Sequence, residues 1–145
     1  MRGDLLVRPG GALEMSGGVA VLGDVEIDQC AYASFDPLTP AARILIAGNV
    51  EIEHCAQSSG KLFTAGRVVI AGNFACHDNA APCFAVSLTI GGDMLINQNS
   101  GSISYIEGNL IGGNLECVNN TGVTDYGTPN TVREKKLGEC AGLSD

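Results

Sequence analysis

Six glycines, each followed at once by Asp or Asn, recur at a nearly regular interval along this chain: Gly3-Asp4, Gly23-Asp24, Gly48-Asn49, Gly72-Asn73, Gly92-Asp93 and Gly113-Asn114. Successive copies lie 20, 25, 24, 20 and 21 residues apart. So short a unit cannot bury its own apolar face, and a recurrence at this period implies a solenoid in which each repeat is one turn stacked on the next.

Matching offsets from the glycine form columns. Two residues before it stand Val21, Ile46, Ile70, Ile90 and Ile111, and two further back stand Val19, Ile44, Val68 and Leu88, with only Asn109 interrupting. Two residues after it come Leu5, Val25, Val50, Phe74, Met94 and Leu115; four after it come Val7, Ile27, Ile52, Cys76, Ile96 and Cys117. Period-two alternation rich in β-branched residues predicts strands with every second side chain in one core. The glycine between the two short strands is expected to supply a positive φ, and the Asp or Asn after it to tolerate the same corner. Seven residues after the glycine the column reads Cys30, Cys55, Asn79, Asn99 and Asn120. Stacked asparagines can hydrogen-bond one another along the axis, satisfying amides that are otherwise buried without partners. The expected fold is therefore all-β: a single parallel β-helix of about six rungs over residues 1–145, right-handed by the rule for parallel crossovers.

Composition is consistent with one elongated domain: 20 glycines, no Trp and few aromatics in 145 residues. No amphipathic helical pattern of useful length is present, and no apolar run approaches the roughly 20 residues of a membrane helix. No charged-then-apolar leader opens the chain, so export would require a signal already removed or encoded elsewhere. Longer excursions from the coil are expected at Ala31 to Pro40 and Ala56 to Ala65, as surface loops.

Six cysteines in so small a chain point to an oxidising compartment and a secreted or cell-surface location. Cys30 and Cys55 share an offset in neighbouring rungs, about 4.8 Å apart, within reach of a disulfide. Cys76 and Cys117 share an offset two rungs apart and need local partners, which leaves Cys76 with Cys83 and Cys117 with Cys140. The plainer reading keeps Cys76 and Cys117 as small core residues in an Ile column.

The segment Gly112-Gly113-Asn114-Leu115-Glu116-Cys117 with Asn120, then Pro129-Asn130-Thr131-Val132 and Lys136-Leu137-Gly138-Glu139-Cys140, resembles a closing pattern of uncharacterised secreted bacterial proteins, especially of actinobacteria. The resemblance implies a last β-helical turn, at about 113–145, stapled by its two cysteines, and supports the pairing of Cys117 with Cys140. A looser similarity, carried by the Gly-Asp and Gly-Asn rhythm, is to bactofilins, polymerising β-helical cytoskeletal proteins.

A net charge of −8 argues against nucleic acid as a partner, since phosphate binding needs Lys and Arg. Glu26 and Asp28 in one rung and Glu51 and Glu53 in the next should face outward as a two-by-two carboxylate patch, with His77 at the matching place beyond. Such a patch is either a solvated face or a cation site, with Ca²⁺ the natural ion for oxygen ligands. Both histidines adjoin a cysteine, as His54-Cys55 and Cys76-His77, so a transition-metal site using both imidazoles and a carboxylate is a further reading beside ordinary surface histidines.

An enzyme of the polysaccharide-cleaving β-helix kind would set these carboxylates against Arg43 or Arg67 as base. The short coil lacks cleft-walling loops, and no nucleophile elbow, phosphate loop or catalytic triad is present, so no catalytic residue and no enzyme is expected. Arg2-Gly3-Asp4 and the sequon Asn119-Asn120-Thr121 are explained by the repeat itself.

A solenoid ends in open strand edges that invite pairing unless capped. The chain enters the repeat by residue 3, which leaves no room for an N-terminal cap, whereas Arg133, Lys135 and Lys136 make the other end basic. The first 55 residues carry eight acidic and three basic side chains. These features predict a structural, self-associating extracellular module, assembling head to tail into filaments through Arg133, Lys135 and Lys136, unless the final segment folds back as a cap or a neighbouring domain covers the edge. The alternatives are a carbohydrate- or Ca²⁺-binding surface module and, third, a small polysaccharide-active enzyme. Apart from that Ca²⁺, no cofactor and no membrane span are expected.

Overall fold

The computed structural model describes residues 1–36, 39, 41–56, 62–65 (backbone only) and 67–144. The chain winds into a parallel β-helix of three sheets, each turn contributing one strand to each. The first sheet holds seven strands, Leu5–Val7, Val25–Asp28, Val50–Glu53, Phe74–His77, Met94–Asn97, Leu115–Val118 and Lys136–Gly138. The second and third hold six each, running from Ala12–Ser16 to Val123–Thr124 and from Val19–Val21 to Thr131–Val132. All pairings are parallel, with Leu5, Val25, Val50, Phe74, Met94 and Leu115 in one register line, as their common offset predicts. One continuous apolar core fills the coil, with Ile27, Ile44, Val68, Cys76, Met94, Ile96, Ile106, Ile111 and Leu115 wholly buried.

The second-sheet strand of each turn carries no fixed offset from the glycine and was not legible as a column. Tyr32–Asp36 and Leu62–Ala65, expected in loops, are strands of the second sheet. Residues 37, 38, 40 and 57–61 of these expected excursions lie outside the described residues. The seventh rung was hidden for another reason: Glu134 stands where the glycine would be, yet Lys136 pairs with Leu115 in register.

Of the six repeated glycines only Gly3 has the expected positive φ, 100°; the other five serve closeness of approach, which corrects the expectation for them. Positive φ falls six residues after the glycine instead, at Gln29, His54, Asp78, Gln98 and Asn119, with φ of 50°, 52°, 55°, 54° and 58°. At the glycine itself the rungs nearly touch. A Cβ on Gly48 would collide with Asp24 Oδ1 and sit 2.8 Å from the Gly23 carbonyl, and one on Gly72 would collide with Asn49 Oδ1 and sit 2.8 Å from the Gly48 carbonyl. That approach lets the Asp or Asn reach along the axis. The backbone N–H of Asp24 donates to Asp4 Oδ1 (2.9 Å), Asn49 to Asp24 (2.6 Å), Asn73 to Asn49 (2.9 Å), Asp93 to Asn73 (2.8 Å) and Asn114 to Asp93 (2.7 Å).

The expected asparagine stack forms inside the coil. Asn79 Nδ2 donates to Asn99 Oδ1 (2.9 Å) and Asn99 Nδ2 to Asn120 Oδ1 (3.0 Å), while each also donates to a rung carbonyl, Ile52 and Cys76 respectively. Asn109, which interrupts an apolar column, begins a second stack: its Nδ2 donates to Asn130 Oδ1 (2.8 Å) and to the Ala85 carbonyl (2.8 Å). Without the seventh rung, Asn130 had no column to belong to.

Candidate functional site

All three disulfides pair as expected, Cys30 with Cys55 from the register and the other two with their local partners. Cys30 and Cys55, with Cα atoms 4.5 Å apart, fill the asparagine column in the rungs before Asn79; Cys76 joins Cys83 across the first-to-second-sheet corner; Cys117 joins Cys140. Three disulfides in so short a chain suggest an oxidising, extracellular environment. Among the described residues no helix is long and apolar enough to cross a membrane.

The expected carboxylate patch lies on the outer face of the first sheet, where Glu26 pairs with Glu51 and Asp28 with Glu53. Glu53 then pairs with His77, and His77 with Asn97. The imidazoles, more than the carboxylates, organise this face. His54, held at the positive-φ corner, places Nδ1 3.1 Å from Asp28 Oδ1 and 3.5 Å from Glu53 Oε2. His77 places Nε2 3.0 Å from Glu51 Oε1 and Nδ1 2.8 Å from Asp78 Oδ2. Two groups result, Asp28 with Glu53 and His54, and Glu51 with Glu53 and His77, the candidate ligand atoms of each lying within 4.8 Å of one another. Glu26 belongs to neither. The donor set is thus nitrogen with oxygen rather than the all-oxygen cage expected for Ca²⁺.

Burial works against the charged form of His77, but hydrogen bonds to Asp78 and Glu51 and their negative charge outweigh it, raising its pKa above the ordinary 6.5. Arg43 and Arg67, the bases of the enzymatic reading, sit before strands of the third sheet and make no ion pair with these carboxylates. Asp78 was missed because it lies at a corner rather than on the strand face, although its offset is that of His54.

The two ends form the second functional region. At the N-terminal end, Leu5–Val7, Ala12–Ser16 and Val19–Val21 are the outermost strands of the three sheets. Leu5, Leu13 and Val19 point at the core yet are only half buried, whereas their neighbours one rung on, Val25, Ala33 and Ile44, are buried. The third strand alone has company: the Met1 ammonium donates to the Ala20 carbonyl (2.7 Å) and the Leu22 N–H to the Met1 carbonyl (3.1 Å).

At the C-terminal end the final segment folds back. A 3-10 turn, Glu139–Gly142, buries Cys140, Leu143 packs on the core, and Ser144 reaches Asp125 beyond the last strand of the second sheet. The Ser144 N–H donates to Asp125 Oδ2 at 2.7 Å and its hydroxyl at 2.5 Å; together, the hydroxyl first, they hold the Asp125 pKa below its ordinary value against the opposing effect of burial. Glu139 takes the next place in the asparagine stack, accepting from Asn120 Nδ2 (2.9 Å). Of the three expected assembly cations, Arg133 and Lys135 are exposed, while Lys136 Nζ donates to the Ser144 carbonyl (2.6 Å) within the fold-back.

A third feature escaped the repeat reading. On the second sheet Phe84, Tyr105 and Tyr126 stack along the axis, with ring centroids 4.7 and 5.0 Å apart. The Tyr126 hydroxyl donates to that of Tyr105 (3.1 Å), an interaction that raises the Tyr126 pKa. Their spacing of 21 residues was the available signal. The chain matches no family model, no curated protein and no solved structure with which it was compared.

Proposed function

We propose that the chain is a structural, self-associating extracellular solenoid module whose contact surface is its N-terminal end. The observation that carries this reading is the incomplete burial of Leu5, Leu13 and Val19 beside strand edges open at Leu5–Val7 and Ala12–Ser16. A further rung would bury these side chains as the next rung already buries their neighbours. Exposed edges of this kind favour strand addition.

The partner end follows from the fold-back. Rung-on-rung stacking onto the C-terminal end would meet the 139–144 segment, so the expected head-to-tail filament has an obstacle there. A second copy's N-terminal end has none, and the contact is then isologous and closed. Charge permits it: Arg2, Asp4, Arg8 and Glu14, all exposed, bring two charges of each sign to this end of a chain of net −8. Light scattering on the oxidised protein tests the reading. An apolar N-to-N contact gives a twofold mass that persists in high salt and is lost in Leu13→Lys. Long oligomers that shorten with salt would restore the head-to-tail filament, and a strict monomer would defeat self-association.

A further inference from the structure

We propose that Glu51, Glu53 and His77 on the outer face of the first sheet form a binding site for a borderline divalent cation of the Zn²⁺ class, with Asp78 as the residue that positions the imidazole. The site is independent of the end-on contact.

The geometry is that of a ligand set before the ion enters. Two ligands on one tetrahedral zinc, each about 2.0–2.1 Å from it, are about 3.3 Å apart; His77 Nε2 and Glu51 Oε1 are 3.0 Å apart. Glu53 completes a group of three within 4.8 Å, leaving a fourth position for water. His77 is held as metal-binding histidines usually are, one ring nitrogen on a carboxylate and the other facing the ion. With Nδ1 held by Asp78 at 2.8 Å, an ion that displaces the proton shared between Nε2 and Glu51 would meet the Nε2 lone pair on the side of Glu51. Its side chain is only 18% exposed, against 53% for His54, so the ring has little freedom to turn away.

The charge on this face is unbalanced. Glu51 and Glu53 stack directly on Glu26 and Asp28, an arrangement that like charges disfavour. Among the described residues no Lys or Arg pairs with any of the four; the ion-pair partners of Asp28, Glu51 and Glu53 are the two histidines. In the next rung of the same column, the Oδ1 atom of half-buried Asn97 has no hydrogen-bond partner among the described residues. The imidazole decides the class of ion: Ca²⁺ and Mg²⁺ prefer oxygen alone, whereas nitrogen with carboxylate suits Zn²⁺.

Isothermal titration of the oxidised full chain with ZnCl2, repeated with CaCl2, tests the site. The expected result is saturable 1:1 Zn²⁺ binding that millimolar Ca²⁺ does not displace, weakened at least tenfold in His77→Gln and in Glu53→Gln. Asp78→Asn weakens it about tenfold while His77 remains a ligand, seen as a Zn²⁺-induced shift of its Nε2 nitrogen resonance. Glu53 and His77 are on the outer face of the sheet and Asp78 is at the corner that follows it, and an unchanged circular dichroism spectrum verifies each fold. Absence of Zn²⁺ binding, binding that His77→Gln leaves intact, or loss in His54→Gln alone would overturn the assignment.

Discussion

The two ends of this solenoid are built from the same rung and finished in opposite ways. At the C-terminal end a disulfide, a 3-10 turn and the Asp125–Ser144 hydrogen bonds close the coil, and the asparagine stack ends on the Glu139 carboxylate. At the N-terminal end inward-facing leucines stop half buried, with one strand edge covered by Met1. A repeat protein's stability is roughly a sum of rung and interface contributions, so an end without a neighbour lacks one interface. The closed end replaces that interface with covalent and charge-assisted contacts; among the described residues nothing of the kind covers Leu5, Leu13 and Val19. That difference, more than net charge, is why association is assigned to the N-terminal end.

The comparison can be broken from the closed side first. Replacing both Cys117 and Cys140 by Ser should cost about 3 kcal/mol in chemical denaturation, the scale for a loop of this length. The loss should appear as faster hydrogen exchange over the last two rungs, with the N-terminal rungs unchanged. Asn99→Ala, in the middle, should cost roughly 2–3 kcal/mol, because Asn79 Nδ2 loses its acceptor and the Cys76 carbonyl its buried donor. An effect confined to a few tenths would mean that water replaces the amide and that the stack is no structural device.

Acid should loosen the closed end before the open one. The Asp125 pKa is depressed in the folded protein, so its contribution is present above the unfolded-state value and is lost as pH falls through the folded one. Exchange of the Ser144 amide should therefore rise across that acidic window. Asp125→Asn should abolish the pH dependence at a cost of about 1 kcal/mol. The smallest effect belongs to Leu13→Lys. At a half-exposed end position the ammonium can reach solvent, so stability should fall by no more than about 1 kcal/mol while association disappears.

Much of this architecture was legible because stacking forces matched residues into columns, and the register that aligns Val25 with Val50 also places Cys30 beside Cys55. Where the period slips, legibility fails. The second-sheet strands follow segments of unequal length, so Tyr32–Asp36 resembled loop. The seventh rung has Glu134 in place of glycine, which concealed Asn130 as a member of a stack, although the stapled last turn was expected from Cys117 and Cys140. The carboxylates were found as a patch from alternation alone, but Asp78 and the corner-held His54 join it through a positive-φ backbone that no alternation reveals.

Hydrogen exchange of the oxidised protein at rising concentration tests the central claim most directly. The account predicts that amides of Leu5–Val7 and Ala12–Ser16 gain protection as concentration rises, while those of Lys136–Gly138 do not change. Protection at Lys136–Gly138, or N-terminal edges that exchange freely at every concentration, would contradict it.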